Sequence, residues 1–364
     1  MIHDHIRARY ARRRTGRGTI ARAAIIAALL LAPRLAGACD LCAIYTTTEA
    51  REERTGLLLG VAEQYTYFAT EKNNGETVSN PFGERLRSSI TQLVVGYNFV
   101  PRFGLQLNLP IISRTFRRVL SSGVVDGDKT GVGDMSLIGI FRAFSWIDIE
   151  YIAHVHVFGG LKFPTGDPDA LGQEVEPAPC IPFPDPTSCN AARAHLRMPV
   201  DDRPHHETGP PSGIHGHDLA LGSGSVDGIV GAQLFGAWRR LFATAAIQYA
   251  ARTVGAFDYQ YANDLLFGTG PGAYLFAGDH LWGEPYTFGI QALLTGETKG
   301  NDTIDGETET GSGITSLYLG PAFRFGWGKS LGAEIAADLP VLQNNTGLQI
   351  VPDYRLRGGI TWRF

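Results

Sequence analysis

The chain has 364 residues, 45 of them Gly and 20 Pro, with 44% hydrophobic residues and a formal net charge of −4. Gly at about one residue in eight exceeds the roughly 7% of ordinary proteins, and beside so large an apolar fraction it excludes collagen and a disordered tail, leaving a packed chain with many turns or close backbone contacts. No stretch of the mature region reaches about 18 consecutive apolar residues, so a bundle of membrane helices is excluded; four Cys without a Cys-x-x-Cys-His exclude a disulfide-dense miniprotein and a c-type haem.

Residues 1–38 read as an export signal. Arg12-Arg13-Arg14 and Arg17 form a basic region, Ile20 to Ala32 an apolar one interrupted by Arg22, and Ala36-Gly37-Ala38 a small-residue cleavage site, so the mature chain is expected to begin at Cys39. Pro33-Arg34 ends the apolar run too early for a membrane anchor. Lipidation of Cys39 is the alternative, against which Ala36 stands where a Leu is expected. The segment carries eight Arg and only Asp4, so the mature chain keeps 24 basic residues (32 less 8) against 35 acids (36 less 1), a net of −11. A chain that acidic, with no basic stripe interleaved with aromatics, has no general reason to bind nucleic acid.

Residues 39–54 are expected to form a periplasmic segment. Cys39-Asp40-Leu41-Cys42 has redox spacing but lacks the βαβ setting of a thioredoxin. A local disulfide is the simplest expectation, and contact with a metal or a periplasmic partner is the alternative.

From residue 55 onward, apolar and polar side chains alternate in runs of ten to fourteen, near 56–69, 88–99, 103–112, 131–143, 148–162, 223–235, 241–251, 264–276, 286–297, 313–326, 331–341 and 350–364. Period two marks strands with two different faces. Short connections such as Pro101-Arg102 and Gly328-Lys329 alternate with long Gly-rich ones, an asymmetry that separates an outer-membrane barrel from a soluble sandwich. The sequence therefore predicts an all-β fold: a transmembrane antiparallel up-and-down barrel of about twelve strands over 55–364, with a long extracellular loop near 164–222.

One parity, including Leu93/Val95/Tyr97/Phe99, Phe103/Leu105/Leu107/Leu109 and Ile335/Ala337/Leu339, is free of charge and suits lipid. The first and eighth strands mix polar and apolar residues on both parities. Elsewhere the opposite parity collects Glu150, His154, His156, Asp227, Gln248, Arg324, Glu334, Asp338, Arg355 and Arg357, the candidate lumen and selectivity residues. Glu150, Asp227, Glu334 and Asp338 would favour cations if free, whereas pairing with the arginines would cancel the field. His154 and His156, spaced i and i+2, either chelate a metal or join a hydrogen-bonded lumen network.

In the long loop His205, His206, His215 and His217 form a candidate site for Zn²⁺ or Cu²⁺, with a merely solvated loop as the alternative. Cys180 and Cys189 suit a disulfide in an oxidising compartment. No catalytic residues and no cofactor are expected: Gly-x-Ser-x-Gly, phosphate-cradling and dinucleotide fingerprints are absent.

The chain ends on Tyr354, Leu356, Ile360, Trp362 and Phe364 in alternation, a signal of the type read by the barrel-assembly machinery. Gly96-Tyr97-Asn98-Phe99 running into Asn108-Leu109-Pro110, Gly160-Leu161-Lys162-Phe163-Pro164-Thr165-Gly166-Asp167, Gly222-Ser223-Gly224-Ser225-Val226-Asp227 and the segment Leu348 to Phe364 resemble the outer-membrane transporters named after the meta-cleavage pathway of phenol degradation. The resemblance implies a twelve-stranded barrel in the outer membrane of a Gram-negative bacterium that passes a small solute, such as a small organic compound. The alternative expectation is a non-conducting barrel that displays its His-rich loop for metal or ligand binding and engages a periplasmic partner through Cys39 and Cys42.

Overall fold

The computed structural model describes residues 55–120, 123–175, 212–281 and 283–364. The expectations placed on the export signal, on Cys39 and Cys42, on Cys180 and Cys189, and on His205 and His206 lie outside the described residues.

Twelve strands form a closed antiparallel barrel: β1 Gly56–Asn73, β2 Arg85–Val100, β3 Phe103–Leu120, β4 Ser136–Ile147, β5 Tyr151–Lys162, β6 Asp227–Trp238, β7 Leu241–Ala251, β8 Asp264–Leu281, β9 Glu284–Lys299, β10 Ile314–Trp327, β11 Leu331–Asn345 and β12 Leu348–Arg363. Each pairs with its neighbours in sequence, and β1 closes on β12 from Leu58↔Arg363 to Asn73↔Leu348. Closure leaves no unpaired edge, the condition for a sheet to sit in hydrocarbon. One end carries short turns and both strand termini; the long connections lie at the other.

The strand near 131–143 departs from expectation. Residues Gly123–Val132 pair with the upper half of β3 as an extension above the barrel, and the wall strand starts at Ser136. The run 223–226 is likewise outside its strand, because Gly224 has φ +69° and a Cβ there would stand 2.5 Å from the Ala256 nitrogen.

Alternation sorts the wall. Val95, Tyr97, Phe99, Leu107, Val157, Leu161, Phe323, Ile335, Leu339 and Ile360 point outward and are exposed, while Ile90, Val94, Gln106, Asn108, Phe158, Gln248, Gln291 and Arg355 point inward and are buried. Aromatic side chains gather at the short-turn end: Tyr151 stacks on Trp238, Phe99 on Phe103, and Trp362 meets Trp327 and Phe364. Such a girdle suits the headgroup layer. Glycine density has a packing cause here. A Cβ on Gly231 would stand 2.3 Å from the Phe158 ring, and one on Gly272 2.3 Å from that of Phe242, so the small residues admit inward-facing rings.

Candidate functional site: the barrel lumen and its cap

Inward side chains narrow the interior: Ile138, Tyr318 and Ala322 face the lumen and are each 0% exposed. One inward polar row is internally matched: Gln106 donates to Asn108 at 2.7 Å and Asn108 to Ser136 at 3.0 Å.

Along β9 to β12 three ion pairs descend the wall. Arg355 meets Glu297 at 2.9 Å, Arg357 forks onto Asp338 through two bonds of 2.9 Å, and Arg324 meets Glu334 at 2.8 Å. On the opposite side Lys162 reaches both Asp134 and Asp227, and Arg252 joins Asp227 to Asp264 at 2.7 and 2.6 Å. The acidic patch is therefore paired, and the expected cation-selective field is cancelled by Arg324, Arg357, Lys162 and Arg252. Glu150 does not belong to the lumen wall. It lies in the turn before β5, because Asp148 and Tyr151 already close that turn, and it pairs across the rim with Arg239 at 2.7 Å.

His154 is buried, shares a 3.1 Å hydrogen bond between its Nδ1 and Ser145 Oγ, and stacks on Phe235. Its ring centre lies 6.4 Å from that of His156, whose register partners are Arg142 and Gln233. Ser145 on His154 and Arg142 beside His156 make this pair part of a polar lumen network. Gln248 is also buried, opposite Gly231.

The network around Lys162 brings two of the sequence motifs together. Lys162 Nζ donates to Ser223 Oγ at 2.8 Å, Asp134 accepts from the backbone of Gly166 and Ser223, and Ser225 Oγ donates to Asp227. Gly166 and Gly222 are required at their contact: a Cβ on Gly222 would stand 2.5 Å from the Gly166 carbonyl carbon. Asp134, Arg252 and Asp264 escape a reading of strand parity because they lie at strand ends, where alternation stops.

Above this layer, residues 163–175 and 212–226 fold into the long-loop mouth as a cap containing two one-turn helices, α1 Gly172–Val175 and α2 Gly216–Leu219. The cap has its own apolar core, in which Leu171, Ile214 and Leu219 pack on Phe68, Leu86, Tyr259 and Ile350 from the wall and loops. Glu84 fastens one edge by accepting from Ser212 Oγ and Gly213 N, and Arg118 donates to Gln173 at 2.7 Å.

At the cap's centre His217 Nδ1 lies 3.0 Å from Glu174, and its Nε2 3.6 Å from Asp218. Burial alone disfavours the imidazolium, but Asp218 and Glu174 outweigh it and hold His217 up at about 9. Burial likewise raises Glu174, and its hydrogen bond and charge interaction with His217 reverse this, bringing it to about 2. His215, His217 and Asp218 place one ligand atom each within 4.8 Å of one another, the one such grouping among the described residues. Below α2 a cavity of about 60 Å³ opens between the cap and the wall of β1, β2, β3, β9, β10 and β12.

No protein-family model and no curated protein matches the sequence. Among solved structures the chain is similar to the COG4313 outer membrane channel from Pseudomonas putida F1, at a TM-score of 0.51 and 13% identity, covering 88% of this chain and all of that one. It overlaps less well with the beta domain of the Bordetella autotransporter BrkA (TM-score 0.38, 10% identity, 85% of this chain and 100% of that one) and with the CymD monoaromatic hydrocarbon channel (0.33, 7%, 85% and 89%). The first of these likenesses establishes the fold, a twelve-stranded barrel of the outer-membrane type; the others, at such scores, carry no inference.

Proposed function

We propose that the chain is a channel in the outer membrane of a Gram-negative bacterium, carrying a small solute through a lumen that is closed at rest, and that it is not an enzyme. The observation that carries the reading is the combination of a closed barrel, an interior of paired charges, and a cap that packs on the wall over a cavity at the mouth. The fold shared with the COG4313 outer membrane channel from Pseudomonas putida F1 supports the same reading, as does the sequence resemblance to the phenol-pathway transporters.

In this reading residues 1–38 direct export, the strand ending at Phe364 is handed to the barrel-assembly machinery, and Cys39 and Cys42 form a disulfide or meet a periplasmic partner. The test is planar-bilayer recording of the refolded chain 39–364 beside a form in which the cap segment 164–222 is replaced by a short Gly-Ser linker. Brief openings in the intact chain and sustained conductance without the cap are expected. Silence in both, with the barrels folded, overturns the proposal.

Metal capture by the loop is the second reading, favoured by the convergence of His215, His217 and Asp218. It requires Zn²⁺ to displace the proton that Glu174 and Asp218 hold on His217. Stoichiometric Zn²⁺ uptake, lost in His215→Ala, would support it.

A further inference from the structure

Three inward residues form one row across adjacent strands: Thr66 on β1 faces Ser88 on β2, which faces Arg114 on β3. Thr66 and Ser88 are 1% exposed and Arg114 2%. Thr66 Oγ1, Ser88 Oγ and Arg114 Nε are all buried without a hydrogen-bond partner. Three unsatisfied polar atoms side by side in a buried wall call for an explanation, since each is costly to desolvate alone. Ser88 and Arg114 line the cavity beneath the cap.

Of the cationic side chains lining that cavity, Arg114 is the one with no direct carboxylate contact among the described residues. Lys299 is matched by Asp302 at 2.7 Å, Glu297 by Arg355 at 2.9 Å, and His217 by Glu174 and Asp218. Arg114 donates through Nη1 to the backbone carbonyls of Asp218 and Ala220, which carry no net charge, and among the described residues it has no carboxylate partner. A guanidinium withdrawn from water without a direct carboxylate contact, its Nε left without a partner, is costly to desolvate. An anion in the cavity supplies the missing contact, with a planar carboxylate suited to Arg114 and a hydroxyl donor available from Ser88.

Size and lining narrow the class. At roughly 10–15 Å³ for each water-sized position, the cavity of about 60 Å³ holds four to six heavy atoms. Phe68, Leu86 and Ile350 give it an apolar side that an inorganic oxyanion would leave unused. We propose that this cavity is a binding site for a short-chain monocarboxylate, its carboxylate on Arg114 and Ser88 and its alkyl end against Phe68, Leu86 and Ile350. As a statement of solute class this rests on the channel reading; as a binding site it stands without it, so binding and conductance fail independently.

The experiment is titration calorimetry of butyrate into the full mature chain refolded in detergent, with heat-modifiable migration on gels confirming the barrel. Saturable uptake of one butyrate per chain is expected, weaker by about tenfold for the neutral isostere butyramide and for Arg114→Gln, and by about threefold for Ser88→Ala. If Arg114→Gln fails to fold, the butyrate-to-butyramide ratio in the unaltered chain decides. Equal affinity for the two, absence of saturable heat, undiminished binding in a folded Arg114→Gln, or sulfate bound as tightly as butyrate each overturns the proposal.

Discussion

Lys162 Nζ and Asp227 Oδ2 stand 2.8 Å apart at the upper end of the barrel wall, with side chains only 7% and 0% exposed. The same ammonium lies 2.9 Å from Asp134, so one cation serves two carboxylates from different strand ends, and Ser223 and Ser225 complete the shell. Arg252 relieves Asp227, but Asp134 has Lys162 as its cation among the described residues. Lys162→Met keeps the stem and deletes the charge. We expect it to destabilise the barrel by roughly 3–5 kcal/mol, the cost of stranding a buried carboxylate. The urea midpoint of the compact band on unheated gels reports this, and an unshifted midpoint would show that the pair contributes specificity without stability.

The lipid face gives a second expectation. Val155 points outward on β5 opposite Leu234, which is itself exposed, and Val155→Arg is expected to cost roughly 2–4 kcal/mol in a bilayer. Glu63 breaks the charge-free pattern on β1, where its two oxygens accept from Ser89 and Thr91 at 2.5 Å. Glu63→Gln keeps one accepting oxygen and is expected to cost no more than about 1 kcal/mol, whereas Glu63→Lys loses both bonds and adds a charge facing hydrocarbon. Similar unfolding midpoints for Val155→Arg and Glu63→Gln in the same lipid would refute the assigned faces.

Glu63 also shows why the first strand resists reading from sequence. Its outward run Leu57, Leu59, Val61, Glu63, Tyr65 is interrupted by a residue whose partners lie on another strand, and parity cannot supply cross-strand partners. Where neighbours are all apolar, as along Leu93 to Phe99, period two is enough to place the strand and its face. It fails at strand ends. Glu150 continues the alternation of β5 in sequence but sits in the turn, and Gly123–Val132 alternates as a loop extension above the wall. The cap is less legible still, because its packing joins 163–175 and 212–226 to Phe68, Leu86 and Ile350, contacts between distant segments that carry no periodic signal. Asp227 is legible as an inward residue; its meeting with Lys162, and through it with Asp134, follows from closure of the barrel.

The cap should respond to pH on two limbs. His217 has its pKa raised from 6.5 to about 9, so its contribution is complete below pH 6.5 and is lost as pH rises through 9. Glu174 has its pKa lowered from 4.5 to about 2, so its contribution is complete above pH 4.5 and is lost as pH falls through 2. Together they place maximal cap stability between pH 4.5 and 6.5, with Asp218 and Lys299 as the other charges facing the imidazole. Limited proteolysis within 163–175 and 212–226 is expected to be slowest in that window and faster towards pH 9. In His217→Gln the alkaline limb should vanish; if it persists, another group controls the cap.

The final strand carries the last expectation. Trp362 is held between Leu59 of β1 and Leu331 of β11, and the backbone N–H of Phe364 donates to the Leu57 carbonyl at 2.9 Å, so the last residues lie in the seam where the sheet closes on itself. Trp362 and Phe364 also belong to the aromatic girdle, which makes them both the end of the ladder and part of the headgroup anchor. Deleting Trp362-Arg363-Phe364 removes the pairing of Leu58 to Arg363 and of Leu59 to Trp362, leaving the first residues of β1 as an open edge. An open edge at membrane depth exposes unpaired N–H and C=O groups to hydrocarbon. We therefore expect the truncated chain to stall before insertion and to accumulate as periplasmic fragments, while Phe364→Tyr, which keeps an aromatic ring in the girdle, assembles. Cell-surface labelling and membrane fractionation separate the two. Normal insertion of the truncated chain would mean that closure is set by the remaining register of β1 and β12, and that the terminal aromatic is not the handle for assembly.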